Sequence, residues 1–189
     1  MQLNKIATVR SGLVITRKQA TKPEDAVCTY QLLNLKAVND SGIDRTALLP
    51  FHATEQLADR YLTHSGDIIV RISEPYTAVC ITEDTDGLLV PSHFVIVRTE
   101  PEKALPEYVA WYLNRDRIRK KFRLNCAGVL LQIKSSTVAE TEIKLPDLDT
   151  QQQIVKLNRL AQAELALLER QLDLKRLKYK KLIEVVNRM

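Results

Sequence analysis

The last 39 residues, Gln151 to Met189, contain neither glycine nor proline, and nothing else in the chain restricts its fold as much. At about 1.5 Å per residue they predict a helix roughly 58 Å long. Leu145-Pro146-Asp147-Leu148-Asp149 does not suit a helix interior, and Thr150 stands three residues before Gln153 in the spacing of a capping box, which places the start. Within the run, Ile154, Ala161, Leu165, Leu168, Leu172, Tyr179, Leu182 and Val186 recur at alternating steps of three and four, with Asn158 and Lys175 in the two remaining steps. This is a heptad-like seam. Leu157, Leu160, Leu167, Leu174, Leu177, Ile183 and Val185 add a second apolar flank. A single helix cannot cover both flanks, and one this long exceeds the width of a body of about 150 residues. The stretch is therefore expected to pair with a partner helix.

Charge separates the same two regions. Residues 151–189 hold nine Lys/Arg against four Asp/Glu, while residues 1–150 hold nineteen of each. The balanced part is unevenly laid out. Ile6 to Pro23 has no acid but carries Arg10, Arg17, Lys18 and Lys22, and residues 115–123 carry six bases against Asp116 alone. A basic face of this kind suits phosphate binding. No apolar run reaches 18 residues, and Met1-Gln2-Leu3-Asn4-Lys5 lacks the apolar core of a signal peptide, so a soluble, cytoplasmic protein is expected. Cys28, Cys80 and Cys126 are far apart and read as reduced core residues.

Along the chain, strands are expected at Ile6–Ile15 (broken at Ser11-Gly12), Val27–Leu35, Ile68–Ile72, Thr77–Ile81, Leu88–Thr99 (interrupted by Pro91) and Glu142–Leu145. Asn39-Asp40-Ser41-Gly42 and Asp84-Thr85-Asp86-Gly87 read as turns. A short helix is expected from Thr54 to Leu62, and a second from Pro106 to about Arg123. Strands and helices mix without a βαβ rhythm. The fold class is therefore α+β: an irregular, largely antiparallel sheet domain with short helices over residues 1–148, followed by one long coiled-coil-type helix over residues 149–189.

Catalytic chemistry has little support. His52, His64 and His93 share no metal-ligand or triad spacing, and there is no glycine-rich phosphate loop. One sharper pattern is Glu142-Ile143-Lys144, an acid-x-Lys triplet that with Asp67 or Asp84 would admit a Mg²⁺-dependent nuclease. Such triplets are common by chance, and a strand with a polar edge facing water explains this one better.

Three stretches together resemble the specificity subunits of type I restriction–modification systems. Leu145-Pro146-Asp147-Leu148-Asp149-Thr150-Gln151-Gln152-Gln153-Ile154-Val155 is similar to the family's proline-leucine turn and Glu-Gln-x-x-Ile helix start, with Thr150 in place of the usual Glu. Leu62-Thr63-His64-Ser65-Gly66-Asp67-Ile68-Ile69-Val70 resembles its Leu-x-x-Gly-Asp-Ile-Leu strand entry. Leu105-Pro106-Glu107-Tyr108-Val109-Ala110-Trp111-Tyr112-Leu113 resembles its Tyr-rich helix, and Ile6 to Gly12 its first strand. The loop after that helix departs from the family pattern, reading Ala127-Gly128-Val129-Leu130-Leu131-Gln132. Family members carry two recognition domains and two helices, so this chain resembles a half-subunit.

The resemblance implies a non-catalytic DNA-recognition subunit without its own cofactor, in complex with a methyltransferase subunit, with or without a restriction subunit. It also implies antiparallel helices that hold two recognition domains apart over a bipartite inverted DNA site. Homodimerisation through the seam would supply the second domain. The candidate DNA-binding residues are Arg17, Lys18 and Lys22 in the acid-free loop, Arg71 and Tyr76 near a strand connection, Arg119, Lys120, Lys121 and Arg123 on the basic helix, and Gln132 and Lys134 beyond it. The alternative from another class is an assembly protein whose body binds protein and not DNA.

Overall fold

Two apolar runs, Ile68-Ile69-Val70 and Phe94-Val95-Ile96-Val97, are buried without alternation. Successive side chains of a strand point to opposite faces, so such runs need cover on both sides of a sheet. The computed structural model, which describes residues 1–126 and 131–187, supplies it. Strands β1 (Ala7–Ser11), β6 (Ile68–Arg71), β7 (Ala78–Cys80) and β8 (Phe94–Thr99) form a four-stranded sheet in the order β1-β8-β6-β7. All of its neighbours are antiparallel; Ile69, for instance, faces Val79 on one side and Ile96 on the other. One face packs Ile69, Phe94 and Ile96 with Leu33, Val38, Ile81 and Val90. The helices α1 (Pro106–Leu113) and α3 (Ser135–Ala139) lie against β6, β7 and β1.

A two-stranded ribbon, β2 (Cys28–Leu32) with β5 (Leu49–Ala53), and a short hairpin, β3 (Val38–Asn39) with β4 (Gly42–Ile43), complete the sheets of the described residues. The ribbon joins the rest through Leu33, whose N–H donates to the Leu89 carbonyl, and through a second cluster of Leu13, Phe51, Ala53, Leu57 and Leu89. Gly12 sits where the chain leaves β1: a Cβ there would lie 2.2 Å from the Pro91 carbonyl oxygen, closer than any side chain tolerates. The expected fold class is borne out, with antiparallel sheets, short helices and a long terminal helix, α4 (Leu148–Val186, 39 residues).

Several local expectations are corrected. Thr54 to Leu62 is not a helix, only a 3₁₀ turn at Asp59–Tyr61. The Tyr61 carbonyl accepts from the Val90 N–H and Leu62 bridges Leu89, so the end of the stretch is spent on extended pairing with the Leu88–Val90 segment. The expected helix from Pro106 to Arg123 is two, α1 and α2 (Asp116–Leu124). The break falls at Asn114, whose amide pairs with both the N–H and the carbonyl of Ala78 and so closes the outer edge of β7 (2.8 and 2.7 Å). Asp84 to Gly87 is not a hairpin turn; a 3₁₀ turn, Glu83–Thr85, is boxed by reciprocal bonds between Thr82 and Thr85. Glu142 to Leu145 is no strand; Glu142 makes one isolated bridge, with Gln2. Ser135–Ala139, for which no element was expected, is helical. The stretch Val129 to Ile133 lies partly outside the described residues.

The long helix starts earlier than its sequence implied. Asp147, not Thr150, is the capping residue: its carboxylate accepts from the Thr150 N–H (2.8 Å) and hydroxyl (3.0 Å), which holds its pKa below the usual range. By its internal contacts the chain divides into two compact units, Met1–Gln152 and Gln153–Met189. The first turn of α4 thus belongs to the first unit. Gln151 is fully buried there: its amide donates to the Pro146 and Lys103 carbonyls (2.8 and 3.2 Å) and accepts from the Leu105 N–H (2.9 Å). Beyond Asn158 every described residue of α4 is exposed. Among the described residues no helix is long and apolar enough to cross a membrane.

Candidate nucleic-acid interface

The β6–β7 connection, Ser73 to Tyr76, brings part of the expected basic set together. Arg71 leaves the end of β6 and donates to the carbonyls of Leu35 and Val38 (3.1 and 3.3 Å) and of Glu74 (3.3 Å). Arg119, on α2, donates to Asp40 in the β3–β4 turn (2.5 Å) and to the Asn114 side chain (2.9 Å). Arg123, one turn further, pairs with Glu74 (2.5 Å). Asp40 also accepts from the Thr77 hydroxyl (3.0 Å). The Arg119 hydrogen bond is the main reason that the Asp40 carboxyl titrates below its ordinary range, while burial lowers the pKa of Arg71.

Geometry sorts these candidates. Tyr76 is core, 1% exposed, with positive φ (58°). Its hydroxyl meets the Cys126 sulfur at 2.6 Å, its ring stands edge-on to Phe122, and burial raises its pKa to about 12. It supports the connection from below and has no surface to offer a base. The Arg71 guanidinium is tied down by three carbonyls, and its Nε is buried without a hydrogen-bond partner. Arg119 is 20% exposed and already holds a carboxylate. Arg123, Lys120 and Lys134 lie in solvent, and Gln132 is half-buried. Gln132 and Lys134 flank Ile133, whose N–H donates to the Ile72 carbonyl, so they sit beside the same connection. Lys121 faces Glu142 at 3.8 Å.

Arg17, Lys18 and Lys22 do not join this group. Their loop is tied to the Ala53 end of the ribbon, through Ala20 to the His52 carbonyl and Val27 to the Ala53 carbonyl, and Lys18 pairs with Glu55 (2.5 Å). Arg71 holds carbonyls beyond the opposite, Leu32 end. A five-residue ribbon at about 3.4 Å per residue lies between them. Two basic patches result, not one.

The carboxylates of the nuclease pattern are otherwise engaged. Asp67 is buried and accepts from Arg98 through both oxygens (2.8 and 3.1 Å) and from the His64 N–H (2.8 Å). Asp84 accepts from the Thr82 hydroxyl. Among the described residues no three His, Cys, Asp or Glu side chains are grouped to hold a metal ion. Sequence reasoning missed the partners Asp40, Glu74 and Asn114. In the sequence Asp40 and Asn114 read only as turn and helix residues, and their signal is the tertiary contact itself.

A sheet domain of this order leading into one long helix defines a fold class known from solved structures. No protein-family model matches the chain, and no curated protein matches it. The fold is that of the HsdS subunit from Thermoanaerobacter tengcongensis, with TM-score 0.68 at 17% identity over 90% of this chain and 43% of that one. A chain from a structure of the type I R-M system, concerned with its complex assembly and conformational transition, aligns with TM-score 0.65 at 17% identity, over 86% of this chain and 42% of its own length. The type I restriction–modification S subunit from M. genitalium aligns with TM-score 0.53 at 11% identity, over 85% and 37%. The chain spans less than half the length of each.

Proposed function

We propose that the chain is a non-catalytic, sequence-specific DNA-recognition subunit of a type I restriction–modification complex. On this proposal residues 1–148 form the recognition domain, and residues 149–189 the dimerisation and spacer helix. One observation carries it: a unit with the S-subunit fold, spanning under half of such subunits, continues into a helix whose leucines are bare. A second copy would cover the seam from Ile154 through Ala161, Leu165, Leu168, Leu172, Tyr179 and Leu182 to Val186 and restore two recognition domains.

Charge favours antiparallel helices. Lys175, Arg176, Lys178, Lys180 and Lys181 crowd the far half of α4 against Asp173 and Glu184, whereas the near half is balanced. Parallel helices would set two basic ends side by side. A spacer of roughly 58 Å exceeds one turn of DNA, about 34–36 Å, which suits two separated, inverted half-sites. Arg17, Lys22, Lys120 and Lys134 are exposed in the right chemistry for phosphates, with Lys18, Lys121 and Arg123 shared with Glu55, Glu142 and Glu74, and half-buried Gln132 is the proposed base reader. Methyltransferase and restriction subunits would be its protein partners in the cytoplasm, the former bringing the methyl-donor cofactor. The test is electrophoretic shift on random duplexes across salt. About six phosphate contacts per domain give a log–log slope near −5. A flat response, or no shift at low salt, favours the protein-assembly alternative.

A further inference from the structure

The antiparallel seam has a register of its own. Gln151 is buried in the first unit with its amide committed, so the seam left for a partner opens at Ile154, itself half-buried, and closes at Val186. Covering all of it sets Ile154 against Val186 of the second copy and Leu168 against Leu172 across the two-fold. Resting on the dimeric reading above, we infer that this full-length register is the one the chain adopts, pinned by Glu164 of each copy against Lys178 of the other. Within one chain these two residues are fourteen apart, about 21 Å along the helix, so they meet only between copies.

The flanking residues select the same alignment. In antiparallel pairs the positions beside the seam face their own kind, and here Leu157 meets Val185 and Val155 meets Ile183 of the second copy. A slide of one heptad in one direction sets Lys178 beside Leu157 and Arg176 beside Val155. In the other direction Glu164 lies beside Val185. Either slide uncovers two seam positions at one end of each helix. Parallel pairing instead brings Glu164 to Glu169. The full-length register contains one like-charge approach, Glu169 to its own copy near the two-fold.

The test is a charge exchange in the full chain, read by sedimentation equilibrium. Glu164→Lys alone and Lys178→Glu alone each weaken the homodimer by about tenfold, since two attractive pairs become repulsive. Mixed one to one, they form a heterodimer with the affinity of the unaltered chain. Glu169→Gln tightens the homodimer. A wild-type dimer with neither variant weakened and no preference in the mixture overturns the register and leaves dimerisation standing. A tighter Glu164→Lys homodimer overturns it in favour of parallel helices. A wild-type chain that stays monomeric removes the dimeric reading itself.

Discussion

The two units spend the same residue types in opposite ways. In the first, Leu3, Leu33, Leu89 and Leu113 are fully buried, and the cations around the β6–β7 connection are engaged by Asp40, Glu74 and main-chain carbonyls. In α4, Leu168 is 52% and Leu172 49% exposed, and their neighbours are equally bare. A buried leucine contributes about 1.5–3 kcal/mol over an exposed one. The body has collected that contribution from its own chain; the arm has not. The body therefore holds its own core, and on the proposed reading the arm awaits a second surface.

The contrast can be broken first through the core. Phe94, fully buried where β8 packs into the cluster of Leu33 and Val90, costs about 3–5 kcal/mol when truncated to alanine. The melting temperature falls by roughly 10 °C, while self-association, measured below the transition, is unchanged. If association falls with it, the two units are not independent.

Next is the first turn of α4, inside the first unit. Gln151→Ala leaves the Leu105 N–H and the Lys103 and Pro146 carbonyls without their buried partner. The expected loss is about 1–3 kcal/mol of stability in urea, with faster amide exchange at Leu105. An unchanged exchange rate there would mean that water replaces the amide at no cost.

This residue illustrates what the sequence disclosed. The stretches that resemble specificity subunits prove to be framework: Gln151 holds the first turn of α4, Asp67 ties the entry of β6 to Arg98, and the Tyr108 hydroxyl donates to the Lys144 carbonyl (2.5 Å). Periodicity exposed α4 because its pattern is local. The split of α1 from α2 was hidden because Asn114 answers to Ala78, 36 residues away. The candidate interface was the least legible part. A sequence counts arginines, but only the fold shows that Tyr76 is core and that Arg119 holds Asp40.

The smallest expected effect is in acid. Asp40, hydrogen-bonded to Arg119, titrates below its unfolded value, as do Asp44, Asp84 and Asp147 through hydrogen bonds from Thr46, Thr82 and Thr150. A depressed carboxyl stabilises the fold above the unfolded pKa, near 3.9, and loses that contribution as pH drops through the lower folded value. The urea midpoint of the body should fall below about pH 4, and Asp40→Asn should remove part of that fall. An identical acid limb in the variant would show that Arg119 and Asp40 do not interact in solution.

The central claim is that the bare helix is half of an interface. Sedimentation equilibrium of the whole chain at micromolar concentration tests it most directly. The expected mass is twice that of the 21.6 kDa chain, reverting to one chain in the Leu168→Asp, Leu172→Asp double variant with the body still folded. A wild-type mass of one chain, or a dimer indifferent to those two substitutions, would contradict it.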